Sequence, residues 1–219
     1  MSMRKNHHAA REQIFAAALD LFAERGYAGA SLQDIVSAAR LTKPTLYYYF
    51  KSKEGLFNAL LEYAYEECFK RMQAAVARRP GVEEQLTEIL ATIFGFLSER
   101  RHLIRLAFAS AFAAPGEMPV SPEIKLKRRR NFEFVHEVVK QGLADGALDR
   151  RLNSRELTYG IYGALSYHVM ANLLLPGTRL NRTTAKRVVA LFMNGARSRG
   201  SNENPHRERN IPTDKHRKP

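Results

Sequence analysis

The sequence predicts an all-α fold in which an N-terminal three-helix unit is joined by a long helix to a larger helical part, and three observations predict it. Apolar residues recur at helical spacing along the chain, and residues 82–197 contain no strand-like alternation. Residues 31–53, SLQDIVSAARLTKPTLYYYFKSK, pack two helix starts and a short turn into a few residues. Turn residues then cut the remainder into helix lengths at Pro80-Gly81, Pro115-Gly116, Gly146 and Pro176-Gly177.

Residues 1–10 are polar, with Arg4, Lys5, His7 and His8, and are expected to form a mobile arm. Arg11 to Arg25 makes the first helix, with Ile14, Ala18, Leu21 and Phe22 as its inward stripe and Gly26 as the residue that stops it. Ser31 opens the second helix with a capping box, since its hydroxyl can accept from the backbone three residues on while Asp34 reaches back. Leu32, Ile35, Val36 and Ala39 then share one buried face. Thr42 caps the third helix, with Pro44 in the first turn, where its missing N–H costs nothing. That helix is short because Ser52 caps the next one. Successive residues turn by about 100°, so Leu46 and Phe50 point inward while Pro44, Thr45, Tyr47 and Tyr48 lie outward with Tyr49 beside them. From Lys53 a long helix runs to about Arg78. Further helices are expected at Val82 to Glu99, Arg101 to Ala113, Pro122 to Asp145, Ser154 to Leu175 and Asn181 to Arg197.

The chain has 219 residues, with 35 Lys and Arg against 22 Asp and Glu, and a formal charge of +13 points to a polyanionic partner, nucleic acid before a membrane surface. Cys68 stands alone, which excludes an intramolecular disulfide and a cysteine zinc site. Asp20 interrupts the first apolar run, and the stretch from Leu103 to Ala114 is too short to span a bilayer and contains Arg105. The expectation is a soluble cytoplasmic, nucleoid-associated protein without a membrane partner. No nucleophile–base pair, metal-ligand set or phosphate loop is legible, so no enzyme activity, cofactor or metal is expected.

Outward hydroxyls and lysines suit phosphate oxygens, and three successive tyrosines cannot all face one core, so the third helix reads as one that enters DNA. The run from Ile14 to Phe57, ALDLFAERGYAGASLQDIVSAA followed by LTKPTLYYYFKSKEGLF, resembles the DNA-binding domain of the TetR/AcrR family of bacterial transcriptional regulators. Arg40 departs from the pattern, standing where the family usually has glycine. The resemblance implies base contacts from Gln33 and Lys43, phosphate or sugar contacts from Thr45, Tyr47, Tyr49 and Lys53, and DNA-lining positions at Thr42, Pro44 and Tyr48. It implies a helix-turn-helix DNA-binding domain at 1–55 and a helical ligand-binding and dimerisation domain at 56–197, while residues 198–219, with almost no apolar side chains, are expected to form a disordered basic tail.

In the second domain an aromatic supply suggests a pocket for an apolar or aromatic effector, with Phe94, Arg105, Phe108, Phe112, Phe134 and Tyr162 as candidates. The last two helices are apolar nearly all round, which suits a dimer interface through Gly160, Ala164, Leu165, Val169, Val188 and Phe192. Lys125, Lys127, Arg128, Arg129 and Arg130 form the densest basic cluster, either a solvated helix face or a second nucleic-acid surface. The function expected is a ligand-responsive homodimeric repressor released from a palindromic double-stranded DNA operator by a small molecule. The alternative is a sequence-neutral basic architectural protein that coats nucleic acid.

Overall fold

The computed structural model describes residues 2–77, 79–175 and 177–196, and the expected basic tail lies outside them. Among the described residues the structure is helical and has no strand: α1 (Ser2–Gly29), α2 (Leu32–Ala38), α3 (Lys43–Phe50), α4 (Lys53–Val76), α5 (Val82–Glu99), α6 (Arg101–Phe112), α7 (Pro122–Ala144), α8 (Ser154–Leu174) and α9 (Arg182–Ala196).

The helix starts follow from capping chemistry. Ser31 accepts from the Asp34 amide at 3.1 Å while Asp34 Oδ2 accepts from the Ser31 amide at 3.2 Å, which closes the expected box. Thr42, Ser52, Ser121 and Asn153 cap α3, α4, α7 and α8 through their side chains. One expectation is corrected: α1 starts at Ser2, so backbone helix replaces the arm expected over residues 2–10. That helix bends at Gly26, whose φ of 71° is one that side chains disfavour. Arg40 takes φ 54° in the turn between α2 and α3, as its departure from glycine required, and Lys51 takes φ 65° just after α3.

Ile14, Phe22, Ile35, Leu46, Phe50 and Phe57 are buried together where α1, α2, α3 and the start of α4 meet. Phe57 stands edge-on to Phe22 at 5.6 Å and to Tyr27 at 4.9 Å. The larger part is built around α5, which touches α4, α6, α7, α8 and α9 and buries Leu86, Ile89, Leu90, Phe94, Phe96 and Leu97. Gly142 of α7 lets α5 approach closely, because a Cβ there would lie 2.8 Å from Val82 Cγ2. Helix α4 belongs to both packings: Leu56 and Phe57 are buried at its start, Ala64 and Met72 further along. At about 1.5 Å per residue its 24 residues span roughly 36 Å.

Candidate nucleic-acid interface and effector cavity

The outer face of α3 carries the residues that the sequence assigned to it. Thr42, Lys43 and Pro44 are exposed, and Tyr48 is the most open tyrosine there at 65%. Leu46 and Phe50 anchor the opposite face in the core, which fixes the helix's rotation. Thr45 is half-buried, its Oγ1 2.9 Å from Thr42 Oγ1. Tyr49 is half-buried against the core, its ring edge-on to Tyr48. Gln33 is exposed on α2 and donates to Ser37 Oγ at 3.3 Å. Lys53 is drawn inward: its ammonium lies 4.4 Å from the Tyr27 ring centroid and donates to the Ala28 carbonyl at 3.4 Å. Sequence reading missed Lys51, an exposed cation at the C-terminal end of α3.

In the helical half the structure places a cavity of about 560 Å³ between α4, α6, α7 and α8, with Ile93 of α5 also in its lining. Phe108, Phe112 and Tyr162 line it, as the sequence suggested, together with Tyr65, Cys68 and Phe132. Three of the expected pocket residues lie elsewhere. Phe94 is fully buried in the core on α5, Phe134 packs edge-on to Phe69 at 5.6 Å, and Arg105 is exposed and borders a second groove, between α6 and α8, with Phe108, Phe112 and Met170. Periodicity cannot distinguish an aromatic that fills a core from one that borders a void.

The polar groups come instead from α7. Lys125, Arg128 and Arg129 lie on one face, at positions i, i+3 and i+4, and border the cavity. Lys127 and Arg130 turn the other way, to α4, where Lys127 Nζ reaches Glu66 Oε1 at 2.6 Å and Arg130 Nη1 reaches it at 3.1 Å. The basic cluster is therefore divided between a cavity mouth and a helix contact. It is not one solvated face. Deeper in, burial pushes the Tyr65 hydroxyl upward while the Arg128 guanidinium beside it opposes that shift. Burial pushes the Tyr162 hydroxyl upward too, and the Cys68 thiol to about 12.

The expected dimer surface is also corrected. Leu165, Val169 and Val188 are buried within the chain, and Leu165 borders the cavity, so none of the three can face a partner. Gly160 is exposed, and Ala164 and Phe192 are half-buried. The outward large apolar residues of α8 and α9 are Tyr159, Tyr167, Met170, Leu174 and Leu191. Among the described residues there is no group of three or more potential metal ligands, and no helix is long and apolar enough to cross a membrane.

Residues 14–60 match the family described as bacterial regulatory proteins, tetR family. The chain is 24% identical over 203 residues to the uncharacterized HTH-type transcriptional regulator YdgC of Bacillus subtilis, covering 91% of this chain and 98% of that one. It is 23% identical over 137 residues to the HTH-type transcriptional repressor KstR2 of Mycolicibacterium smegmatis, covering 63% and 66% of the two chains. In fold it is similar to the transcriptional regulator FadR of Bacillus subtilis, solved in complex with stearoyl-CoA, with a TM-score of 0.72 at 20% identity over 84% of this chain and 98% of that one.

Proposed function

We propose that the chain, whose residues 14–60 match the tetR family of bacterial regulatory proteins, acts as a homodimeric repressor released from a palindromic operator by a small amphipathic effector. The observation that carries this reading is α4, which starts against the last turn of α3 and further along lines the cavity with Ala64, Tyr65, Cys68 and Met72. One helix thus touches both the element suited to DNA and the space suited to a ligand. In this reading the DNA-binding unit comprises residues 1–55 and the sensing and dimerising unit residues 56–197.

Lys43 and Gln33 read base edges, while Thr42, Pro44, Thr45, Tyr47, Tyr48 and Tyr49 line or hold the DNA backbone, and Lys53, engaged with Tyr27 and Ala28, steadies the start of α4 instead. Two copies paired through the outward faces of α8 and α9 set their α3 helices about 34 Å apart, one turn of the duplex. Tyr167, Met170, Leu174 and Leu191, with Gly160 and Gly163 between the larger side chains, are the surface offered for that pairing.

The cavity supports an effector with a long apolar body and an anionic end. Aromatic and aliphatic side chains form its bed, and Lys125, Arg128 and Arg129 stand at its border. A fatty acyl thioester of coenzyme A has that shape and charge, and the FadR structure was solved with stearoyl-CoA. Occupancy shifts the population toward a dimer whose α3 helices no longer match the operator, and it can do so only through unequal affinity for the two states.

A mobility-shift assay on the gene's own upstream DNA at moderate salt tests the reading. A specific complex that stearoyl-CoA dissolves supports both halves of it. Binding that ignores sequence and vanishes steeply with salt supports the architectural alternative.

A further inference from the structure

Between the two halves, one side chain on α4 holds the segment that connects the two helices bordering the cavity mouth. Asn58 lies on the second turn of α4. Its Nδ2 donates to the Pro119 carbonyl at 2.7 Å and to the Glu54 carbonyl of its own helix at 3.0 Å, while its Oδ1 accepts from the Ser121 amide at 2.9 Å. Donating to two carbonyls and accepting from an amide fixes the amide's orientation.

The segment so held, residues 113–121, is the covalent link between Phe112, the last residue of α6, and Ser121, the cap of α7. Phe112 borders the cavity on one side of that link, and Lys125, Arg128 and Arg129 border it on the other. On the DNA side, Asn58 is one turn from Gly55, where a Cβ would lie 2.1 Å from the Phe50 carbonyl oxygen. The end of α3 therefore rests directly on the start of α4. Further along the same face of α4, Glu66 receives Lys127 and Arg130, and the Tyr65 carbonyl accepts from Asn131 Nδ2 at 3.1 Å. These contacts bind α4 to the body of α7. Asn58 alone of them grips the loop.

We propose that Asn58 is the positioning residue that couples the cavity mouth to α3, by clamping the α6–α7 loop to the start of α4 so that opening or closing the mouth turns the reading helix. Asn58 touches neither base nor effector in this scheme. It transmits. Coupling of this kind is reciprocal, so DNA held by α3 must alter the loop as a ligand at the mouth alters α3.

The proposal rests on the reading of the chain as a sequence-specific DNA binder, and its test separates the two. Wild-type protein, Asn58→Ala and Asn58→Asp are compared at full length, with a duplex enriched by the wild type from a random pool. Amide hydrogen exchange across residues 114–121 is measured with and without that duplex. In the wild type, DNA changes the exchange of the Ser121 amide by at least about fivefold. In Asn58→Ala the same amide exchanges fast and ignores DNA, while affinity for the duplex moves by less than about threefold. Asn58→Asp keeps the acceptor for the Ser121 amide but cannot donate to Pro119, so its response is intermediate, and it decides the matter if the alanine variant does not fold. A wild-type loop indifferent to DNA, or a loop that responds equally in the variants, overturns the coupling and leaves the DNA-binding reading standing. Failure to enrich any sequence overturns the DNA-binding reading, and the coupling falls with it.

Discussion

Cys68 shows how a single residue reports on its surroundings. It borders the cavity, and burial holds its thiol at about 12. At pH 8 only about one molecule in ten thousand then carries the reactive thiolate. Ellman's reagent should leave the native protein untouched over minutes and titrate its one thiol in guanidinium; prompt reaction of the native form would mean that the cavity is open and polar at that point. On α3 the side chains divide by task. Lys43→Ala should lower discrimination at one base position by about 1–3 kcal/mol, while Tyr47→Phe should weaken every sequence alike. Binding to a panel of single-base operator variants distinguishes the two patterns, and a uniform loss from Lys43→Ala would reassign that lysine to the phosphates. The sequence made these exposed residues legible because Leu46 and Phe50 fix the rotation of α3. It could not reveal that Lys53 turns inward, since that depends on Tyr27 and Ala28 arriving from another part of the chain.

Among elements, the seam between α3 and α4 leaves no room for a side-chain carbon at Gly55. Gly55→Ala should destabilise by about 1–3 kcal/mol, because a methyl group 2.1 Å from the Phe50 carbonyl forces the two helices apart. DNA affinity should fall with it although Gly55 faces no DNA. A melting temperature equal to the wild type's would refute the rigid seam. Helix ends were readable from the chain because Ser31, Thr42, Ser52, Ser121 and Asn153 cap with their own side chains. The faces of α8 were not. Leu165 and Tyr167 are both apolar and two residues apart, yet one is buried beside the cavity and the other lies on the surface. Only the position of α5, α6 and α7 around α8 decides between them. Arg105 was legible only in part for the same reason: a cation in an apolar stretch suggests a pocket, and α6 turns it into the groove beside Phe108 and Phe112 and not into the deeper cavity.

For the whole molecule, carboxylates paired on folding set the response to acid. Hydrogen bonds from Lys127 and then Arg130 hold Glu66 below its ordinary 4.5, the Ser31 side chain does the same for Asp34 relative to 3.8, and Arg151 holds Asp149 at about 2. A carboxyl group depressed on folding stabilises fully above its unfolded value, and that contribution is lost as pH falls through the folded one. These groups should therefore leave stability flat between pH 7 and about 5 and erode it from about 4.5 toward 2. Glu66→Gln should remove part of that slope in urea unfolding measured across the range; an unchanged slope would mean that Lys127 and Arg130 hold Glu66 too loosely to matter. The division of the chain into a reading end and a sensing end was legible from residues 31–53 and the long helix after them. The cavity was not, because it arises among five helices whose packing brings distant residues together.

The chain contains no tryptophan, while Tyr162 borders the cavity and Tyr48 projects from α3. The molecule is thus optically blank above the tyrosine band. A lone indole installed in place of Tyr162 would report effector occupancy, and one in place of Tyr48 would report operator engagement. Each signal would come from one end of α4 without a dye, so the order in which the two ends respond could be timed in a single stopped-flow experiment.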